Sequence, residues 1–391
     1  MKEIYLDNNA TTKVDEAVFE EMRPYFCDLY GNPSSMHYFG GQVQRKVDEA
    51  RNRVAALLGA LPEEIIFTAC GTESDNAAIR SALEVFPERR HIITTRVEHP
   101  AVLTLCRNLS KRGYRVTELG VDGEGRLDLN ELRSVIDEDT AVVSVMWANN
   151  ETGVIFPVEE ISRIVKEKGK GALFHTDAVQ AVGKIPINMA TSSIDMLSIS
   201  GHKLHAPKGT GVLYLRKGVP FRPFMVGGHQ EHSRRAGTEN TAGIIALGKA
   251  CELAEHWMED ENTRVKALRD RLEAALLELI PRARINGGEA ERLPNTLSIA
   301  FEFVEGEAIL MLMSEKGICA SSGSACTSGS LEPSHVLRAM GVPFTCAHGS
   351  IRFSLSRFTT DEEIDTIIRE LPPIIRRLRE MSPFGREFLN A

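Results

Sequence analysis

The sequence has no Cys-x-x-Cys pair and no histidine–cysteine cluster at the spacing of zinc ligands, although it contains seven cysteines in 391 residues. An odd number of unclustered cysteines argues against both a structural zinc site and a disulfide framework. We therefore expect reduced thiols, as in intracellular proteins. Walker A and Gly-x-Gly-x-x-Gly patterns are also missing, so the usual sequence markers of nucleotide binding are absent.

Long apolar runs and blocks of like charge are missing as well. No run approaches the roughly 18 apolar residues that span a bilayer, and the first residues lack the apolar core of a signal peptide. Acidic residues exceed basic ones by 54 to 46, so the electrostatic signature of a nucleic-acid-binding protein is absent. The composition predicts a cytoplasmic protein that binds neither membrane nor nucleic acid and acts on small molecules.

Short apolar runs alternate with helical patterns over the first 260 residues. This alternation predicts an α/β fold whose mainly parallel, seven-stranded sheet is covered by helices. The predicted strands are 64–68, 91–95, 115–119, 141–147, 172–176, 196–200 and 211–215. The longest stretch without a predicted element is 223–239, which is rich in glycine, histidine and arginine.

The length exceeds that of one ordinary core and predicts a second domain. After a charged amphipathic segment at 263–280, strands and helices are fewer and mixed, which indicates a smaller α+β domain. We expect residues 15–260 to form the large domain. Residues 1–14 and 261–391 would form the small one, which includes a loop at 321–330.

Asp177 directly follows one predicted strand, and Lys203 lies three residues after the end of the next. Either residue alone is compatible with a helix cap or a solvated charge. Pyridoxal phosphate, however, needs both a lysine amine for its Schiff base and an acid that faces its ring nitrogen. Because ligands of parallel sheets bind at the carboxyl ends of the strands, the pair predicts such a site. Lys184 and Lys208 are weaker candidates, because Lys184 lies beyond a turn and before an edge-like stretch, and Lys208 lies within a turn.

A turn that contains Gly71 and Thr72 follows the first predicted strand and leads into a helix. Free backbone amides at the start of a helix, with a glycine and a hydroxyl, would suit a phosphate group. Ser200 and His202, on either side of Gly201, would add donors. The alternative is an ordinary Thr72 cap completed by Asp75 as a capping box.

His99, Asn150 and Gln180 also follow predicted strands at the same edge. His99 could stack on a pyridine ring or carry protons, and the two amides could bind the oxygen of such a ring. Each could equally be a satisfied turn residue.

Cys326 lies among glycines, serines and a threonine in Ser321–Ser330, whereas most other cysteines have apolar neighbours. An exposed thiol on such a segment suggests a nucleophile that travels, with a solvent-facing linker as the alternative. Arg352 interrupts an apolar strand near the end of the chain. It is a candidate for binding a substrate carboxylate, with a structural ion pair as the alternative.

These motifs, taken together, resemble the cysteine desulfurases over essentially the whole chain, and most of all the nitrogenase-associated NifS type. The segments that carry the resemblance are Tyr5–Thr12, Gly31–Ser35, Gly71–Ser74, Glu98–His99, Asn149–Glu151, His175–Asp177, Ser200–Lys203, Arg235–Thr238 and Ser321–Ser330. The resemblance implies pyridoxal-phosphate-dependent fold type I and a homodimer.

The resemblance also implies a role for each candidate residue. Lys203 would bind the cofactor, Asp177 would pair with its ring nitrogen, and His99 would stack on the ring. The oxygen side of the ring would contact Asn150 and Gln180. The phosphate would be held by Gly71, Thr72, Ser200, Gly201 and His202, and by Thr238 from the partner subunit. The substrate would be bound by Arg352 and Asn150. Cys326 would carry the persulfide, and its only metal contact would be as a transient iron–sulfur ligand with a scaffold protein.

The function expected from this resemblance is removal of sulfur from L-cysteine, which gives L-alanine and a persulfide for iron–sulfur cluster assembly in nitrogen fixation. A scaffold protein would accept the sulfur. Two alternatives remain open at this point. One is an aminotransferase or lyase with the same cofactor, in which Cys326 has no role, and the other is a carrier of sulfur or iron clusters without catalytic activity.

Overall fold

The structure is a computed structural model that describes residues 3–322 and 333–382. Its strands are β1 (Ile4–Tyr5), β2 (Ile65–Thr68), β3 (His91–Thr95), β4 (Arg115–Leu119), β5 (Thr140–Ser144), β6 (Leu173–Asp177), β7 (Met196–Ser200), β8 (Gly211–Leu215), β9 (Ala283–Ile285), β10 (Thr296–Phe301), β11 (Ile318–Cys319) and β12 (Ser350–Ser354).

The α-helices are α1 (Glu16–Met22), α2 (Pro24–Cys27), α3 (Tyr38–Leu58), α4 (Gly71–Val85), α5 (Pro100–Ser110), α6 (Leu129–Val135), α7 (Val158–Lys168), α8 (Gln230–Ser233), α9 (Thr241–His256), α10 (Met258–Asp260), α11 (Lys266–Leu279), α12 (Gly306–Ser314), α13 (His335–Ala339), α14 (Phe344–Ala347) and α15 (Asp361–Met381). Two short 3-10 turns, Pro62–Glu64 and Gly201–Lys203, and a π-helical turn, Glu261–Val265, complete the described elements. None of the helices in these ranges is long and apolar enough to span a membrane.

The central sheet has seven strands in the order β2-β8-β7-β6-β5-β3-β4. The run from β4 to β7 is parallel, and only β8 is antiparallel to its neighbours β7 and β2. Strands β3, β5, β6 and β7 are buried at every position, as expected for parallel strands with both faces covered. The predicted mainly parallel, seven-stranded sheet is confirmed.

The strand order brings several strand ends to one edge of this sheet. β4 and β5 lie on opposite sides of β3, so the chain reverses its direction of progress across the sheet there. β2 is antiparallel to β8, which is antiparallel to β7, so β2 ends at the same edge as the parallel strands. A crevice beyond this edge is the usual ligand site of such sheets.

The C-terminal part forms a three-stranded antiparallel sheet in the order β12-β10-β9. Helices α11 and α15 contribute to its apolar cluster, which also includes Ile4 and Leu6 of the N-terminal segment. This confirms the α+β character of this part. The domain boundary at residue 260 stays a prediction, and Val336 and Leu337 belong to the apolar cluster of the large sheet instead.

Two expectations about chain segments need correction. The strand expected at 141–147 ends at Ser144, although the Val145 and Trp147 amides still donate to carbonyls of residues in β6. The stretch 223–239 contains the short helix α8. This helix is fixed to the rest of the chain by Glu231, which forms a buried ion pair with Arg51. A buried acid in a polar stretch gives no apolar pattern, so the sequence did not reveal this anchor.

Candidate functional site

A cavity of about 370 Å³ lies at the carboxyl edge of the central sheet. Ten of the candidate residues line it together: Gly71, Thr72, His99, Asn150, Asp177, Gln180, Ser200, His202, Lys203 and Arg352. Gly201 and Thr238 do not line it. Cys326 lies outside the described residues.

Lys203 reaches this cavity from the 3-10 turn that follows β7. Its Nζ donates to the backbone carbonyls of Asn9 at 2.5 Å and Ala10 at 2.7 Å. The two competing lysines lie elsewhere, since Lys208 is exposed and Lys184 is buried outside the cavity. Lys203 is therefore the lysine placed to react with a ligand in the cavity.

Asp177 is the last residue of β6, and its side chain is buried. The Val179 amide donates to its Oδ1 at 2.9 Å. Burial raises the pKa of Asp177, while His99 and Lys203 act in the opposite direction. A cationic ring nitrogen in the cavity would supply the charge that a buried carboxylate requires. This donor set fits a protonated pyridine.

A second carboxyl group, Asp75, lines the same cavity. Burial, and next the charge of Asp177, raises its pKa well above the ordinary value. Two neighbouring buried carboxyl groups cannot both be ionised at low cost. We infer that Asp75 is the one that keeps its proton.

The start of α4 forms the opposite end of the cavity. Its N-cap residue is Cys70, which makes no capping hydrogen bond through its side chain, so the expected alternative of a Thr72 cap is wrong. The first amides of this 15-residue helix are thus left for an anion. A Cβ on Gly71 would lie 2.8 Å from Cγ2 of Val179, so a larger residue would push into the cradle.

The phosphate candidates after β7 fit the same end. Ser200 is buried, and Nδ1 of His202 lies 3.1 Å from Oγ1 of Thr11. Burial, together with the charge of Lys203, lowers the pKa of His202 to about 4, so its ring is neutral at pH 7. Gly201 faces Thr210 rather than the cavity, so only its backbone can contribute.

His99 has a structural role in addition to its place in the cavity. It is the N-cap of α5, and its Nδ1 accepts a hydrogen bond from the Ala101 amide at 3.2 Å. Burial lowers its pKa, and the neutral ring must carry its proton on Nε2 to keep this bond. His99 is therefore set to donate from Nε2, and accepting a proton at Nδ1 would break the cap.

Arg352 forms the structural ion pair that was one of the two alternatives foreseen for it, and its binding of a substrate carboxylate stays a prediction. Its guanidinium is buried and donates to Oδ1 of Asp7 at 2.7 Å and to the carbonyl of Asn150 at 2.9 Å. Its Nε has no hydrogen-bond partner in the described ranges. The ion pair with Asp7 fixes the side chain, and the remaining N–H groups are left for a carboxylate ligand.

Gln180 is buried at the edge of the cavity, and its Nε2 donates to the Asn9 carbonyl at 2.9 Å. Asn9 thus accepts from both Gln180 and Lys203. Sequence reasoning assigned no role to Asn9 or Ala10, although they lie in one of the segments that carried the resemblance. Backbone carbonyls have no residue-type signal, so only the structure reveals their contribution.

The cysteines differ in part from expectation. Cys106, Cys251 and Cys346 are buried, as apolar surroundings predicted, but Cys27 is exposed and Cys70 lines the cavity. These cysteines are all free thiols.

Thr238 is exposed in the single chain and lines a separate cavity of about 120 Å³, together with Arg235 and Glu239. Thr238 therefore does not line the phosphate end of the site in its own chain.

Comparison with known proteins shows the family to which the chain belongs. The class-V aminotransferase profile matches residues 4–367. The chain is 62% identical to cysteine desulfurase 2 of Trichormus variabilis, over 99% of this chain and 96% of the relative. It is 61% identical to the cysteine desulfurase NifS of Azotobacter vinelandii, over 98% of this chain and 95% of the relative.

Solved structures show the same likeness. A NifS-like protein superposes with a TM-score of 0.90 at 42% identity, covering 96% of this chain and 100% of the other. A structure of SspA in complex with cysteine gives a TM-score of 0.81 at 34% identity, covering 92% and 100%. The chain belongs to the class-V aminotransferase family and, within it, to the pyridoxal-phosphate-dependent cysteine desulfurases.

Proposed function

We propose that this chain takes sulfur from L-cysteine, releases L-alanine, and holds the sulfur as a persulfide on Cys326 for iron–sulfur cluster assembly. The observation that carries the proposal is the convergence of Lys203, the buried Asp177 and the start of α4 on one cavity. A lysine amine, an acid and an anion cradle are the three groups that pyridoxal phosphate requires.

The cofactor would be held at three points. Lys203 would bind it covalently, Asp177 would face its ring nitrogen, and the amides of α4 with Thr72 would hold its phosphate. When bound, pyridoxal phosphate serves as an electron sink for an attached amino acid and so weakens the bonds at its α-carbon.

The chain's own groups would then act on the substrate. Arg352 would bind the carboxylate of cysteine through its remaining N–H groups. The Lys203 amine, once released, would take the α-proton. The Cys326 thiolate would attack the substrate sulfur, so that an S–S bond forms, the C–S bond breaks, and its electron pair passes to the β-carbon, which takes up a proton.

The proton on Nε2 of His99 limits the role that this residue can have in the reaction. A base at His99 could help to ionise the Cys326 thiol, but Nδ1 is already the acceptor for the Ala101 amide. We therefore assign His99 the part of a hydrogen-bond donor at Nε2, which would orient the ligand in the cavity without giving up its proton.

We also propose a homodimer, a scaffold protein as the sulfur acceptor, and a cytoplasmic location. Two features support the dimer. Thr238 lies outside the site of its own chain, and large apolar side chains are exposed in two segments: Phe26, Tyr30, Met36, Tyr38, Phe224, Met225 and Val226. The names of the NifS relatives support a role in supplying sulfur for nitrogenase clusters.

Replacement of Cys326 by alanine tests the function directly. The variant should keep the absorbance of the bound cofactor but lose persulfide formation and sulfide release by at least about a hundredfold, because the thiol that would accept the substrate sulfur is gone. The measurement is quantification of alanine, persulfide and sulfide after addition of L-cysteine and a thiol reductant.

Cys27→Ala, which removes an exposed thiol, is the matched control and should retain full activity. Undiminished sulfide release by Cys326→Ala would refute the role of that thiol. Product formation only with a keto acid would indicate an aminotransferase. A protein that stays colourless with added cofactor would instead indicate a carrier.

A further inference from the structure

Lys184 is a buried lysine that the proposed reaction leaves without a role. Only 7% of the residue is exposed, and it lies outside the site cavity. Its Nζ donates to the backbone carbonyl of Gln180 at 3.2 Å and to Oε1 of the same residue at 3.4 Å. The Asn262 side chain donates to the Lys184 carbonyl at 2.8 Å, so the backbone is fixed as well. A buried ammonium is costly unless it is paired and hydrogen-bonded, so its contacts with Gln180 matter.

The charge of Lys184 is retained at neutral pH. Burial lowers its pKa to about 8, while the charge of Glu261 opposes this shift. Lys184 also influences the pKa values of His202 and His205, and both of these histidines are neutral at pH 7. Lys184 and Lys203 both line a second, small cavity. Lys184 therefore presents a cation to the side chain of Gln180.

This cation determines which way the Gln180 amide points. With Oε1 toward the Lys184 ammonium, Nε2 donates to the Asn9 carbonyl at 2.9 Å. The reverse orientation would place the NH₂ group against the ammonium and the carbonyl oxygen against another carbonyl, and both contacts are repulsive. An amide nitrogen has two N–H groups, and Asn9 takes one of them. The second N–H is left for the cavity that Gln180 lines.

We propose that Lys184 is a positioning residue that orients Gln180, so that the cavity meets an N–H donor and never a carbonyl oxygen. The matching ligand group is an anionic oxygen, such as that on the ring of the cofactor. This inference rests on the proposed function, since it concerns how the same site holds pyridoxal phosphate.

The test is a double-mutant cycle read by the visible spectrum of the holoenzyme. A donor to the ring oxygen stabilises its negative charge and so weakens its hold on the proton of the neighbouring cofactor–lysine linkage. Gln180→Leu should raise the pH midpoint of the visible band by about half a unit to one unit, the size of one hydrogen bond. Lys184→Met should raise it in the same direction.

The double variant tests whether Lys184 acts through Gln180. Because Lys184 acts through Gln180, Lys184→Met should add no further shift in the Gln180→Leu background. A purely structural role would lower thermal stability but would leave the midpoint unchanged. Exposed Lys168→Met is the matched control, and Lys184→Gln, which also removes the charge, should give the same upward shift if Lys184→Met fails to fold.

Two results would overturn the inference: a wild-type midpoint in both Lys184 variants, or the same shift with and without Gln180. Failure of the proposed function would look different, because the wild-type protein would then develop no visible band when supplied with pyridoxal phosphate.

Discussion

At the scale of single residues, burial and neighbouring groups give different properties to residues of the same type. Asp75 and Asp177 both line the cavity, yet the cationic neighbour that favours a charged carboxylate, Lys203, acts on Asp177. His99 and His202 are both half-buried histidines that line the cavity, but one caps a helix and the other lies at the phosphate end. Their different tasks follow from contacts with backbone groups and with each other.

Glu98, next to His99, gives a pH-dependent prediction. Its side chain is buried and accepts from the Thr95 hydroxyl at 2.8 Å and the Met146 amide at 3.0 Å, while Oε2 has no partner among the described residues. Burial raises its pKa from 4.5 to about 8. The folded protein thus keeps a proton that the unfolded chain loses above pH 4.5.

The sign of the effect follows from this difference. The stability contributed by neutral Glu98 is fully present below about pH 4.5 and is lost as the pH rises to about 8. Glu98→Gln should therefore gain stability relative to the wild type over this window, with a slope of up to about 1.4 kcal/mol per pH unit. Urea unfolding at pH 5, 6, 7 and 8 measures it.

The control for this prediction is Glu255→Gln, which alters an exposed carboxyl group. It should leave the pH dependence of unfolding as in the wild type. A stability difference between Glu98→Gln and the wild type that stays constant from pH 5 to 8 would show that Glu98 is ionised in the folded protein.

The sequence could predict those site residues whose side-chain type indicates a chemical role. Lys203 and Asp177 were predictable because a lysine and an acid that follow successive strands together match what pyridoxal phosphate requires, and both lie among the ten candidates that line the cavity. Asn9 and Ala10 contribute only carbonyl groups, and Asp75 resembled a capping residue. Their contribution depends on the tertiary fold and cannot be recognised from the residue type.

At the scale of elements, the helix that follows residues 323–332 is tied to the site by its cap. Ser334 accepts from the Val336 amide at 3.0 Å and the Leu337 amide at 3.3 Å, and its hydroxyl donates to Oε2 of Glu151. Glu151 is buried and directly follows Asn150. The next residue, His335, contacts the Glu98 carbonyl through Nε2.

Ser334→Ala should lower the free energy of unfolding by about 1–3 kcal/mol, because α13 loses its cap and a buried carboxyl group loses a partner. Chemical denaturation measures this loss. Ser134→Ala, an exposed serine near the end of α6, should change stability by less than about 0.5 kcal/mol. Equal effects of the two substitutions would contradict the anchoring role of Ser334.

The elements themselves were largely predictable from the sequence. Strands β3, β4, β7 and β8 have the expected bounds because short apolar runs between turn signals are typical of a covered parallel sheet. The expectation was wrong at 223–239, where the buried pair of Arg51 and Glu231 replaces apolar packing. Ion pairs between distant segments are set by the fold and have no local pattern.

At the scale of the whole molecule, the proposed dimer predicts that exposed apolar residues become covered. Val226 is 85% exposed in the single chain. Val226→Glu should raise the dissociation constant of the dimer at least about tenfold, because a charge would be buried in the interface. Sedimentation equilibrium measures it, with Met311→Glu, another exposed apolar position, as the control.

A dimer unaffected by Val226→Glu would place the interface elsewhere on the chain. A wild-type protein that sediments as a single chain would overturn the dimer, and with it the contribution of the partner subunit's Thr238 to the phosphate site.

The central claim is that pyridoxal phosphate is bound covalently to Lys203 and to no other lysine. Reduction of the holoenzyme with borohydride, followed by proteolysis and mass spectrometry, tests it most directly. We predict a phosphopyridoxyl group on the peptide that contains Lys203 and its loss in Lys203→Ala. A modified Lys184 or Lys208, or no modified peptide at all, would contradict the account.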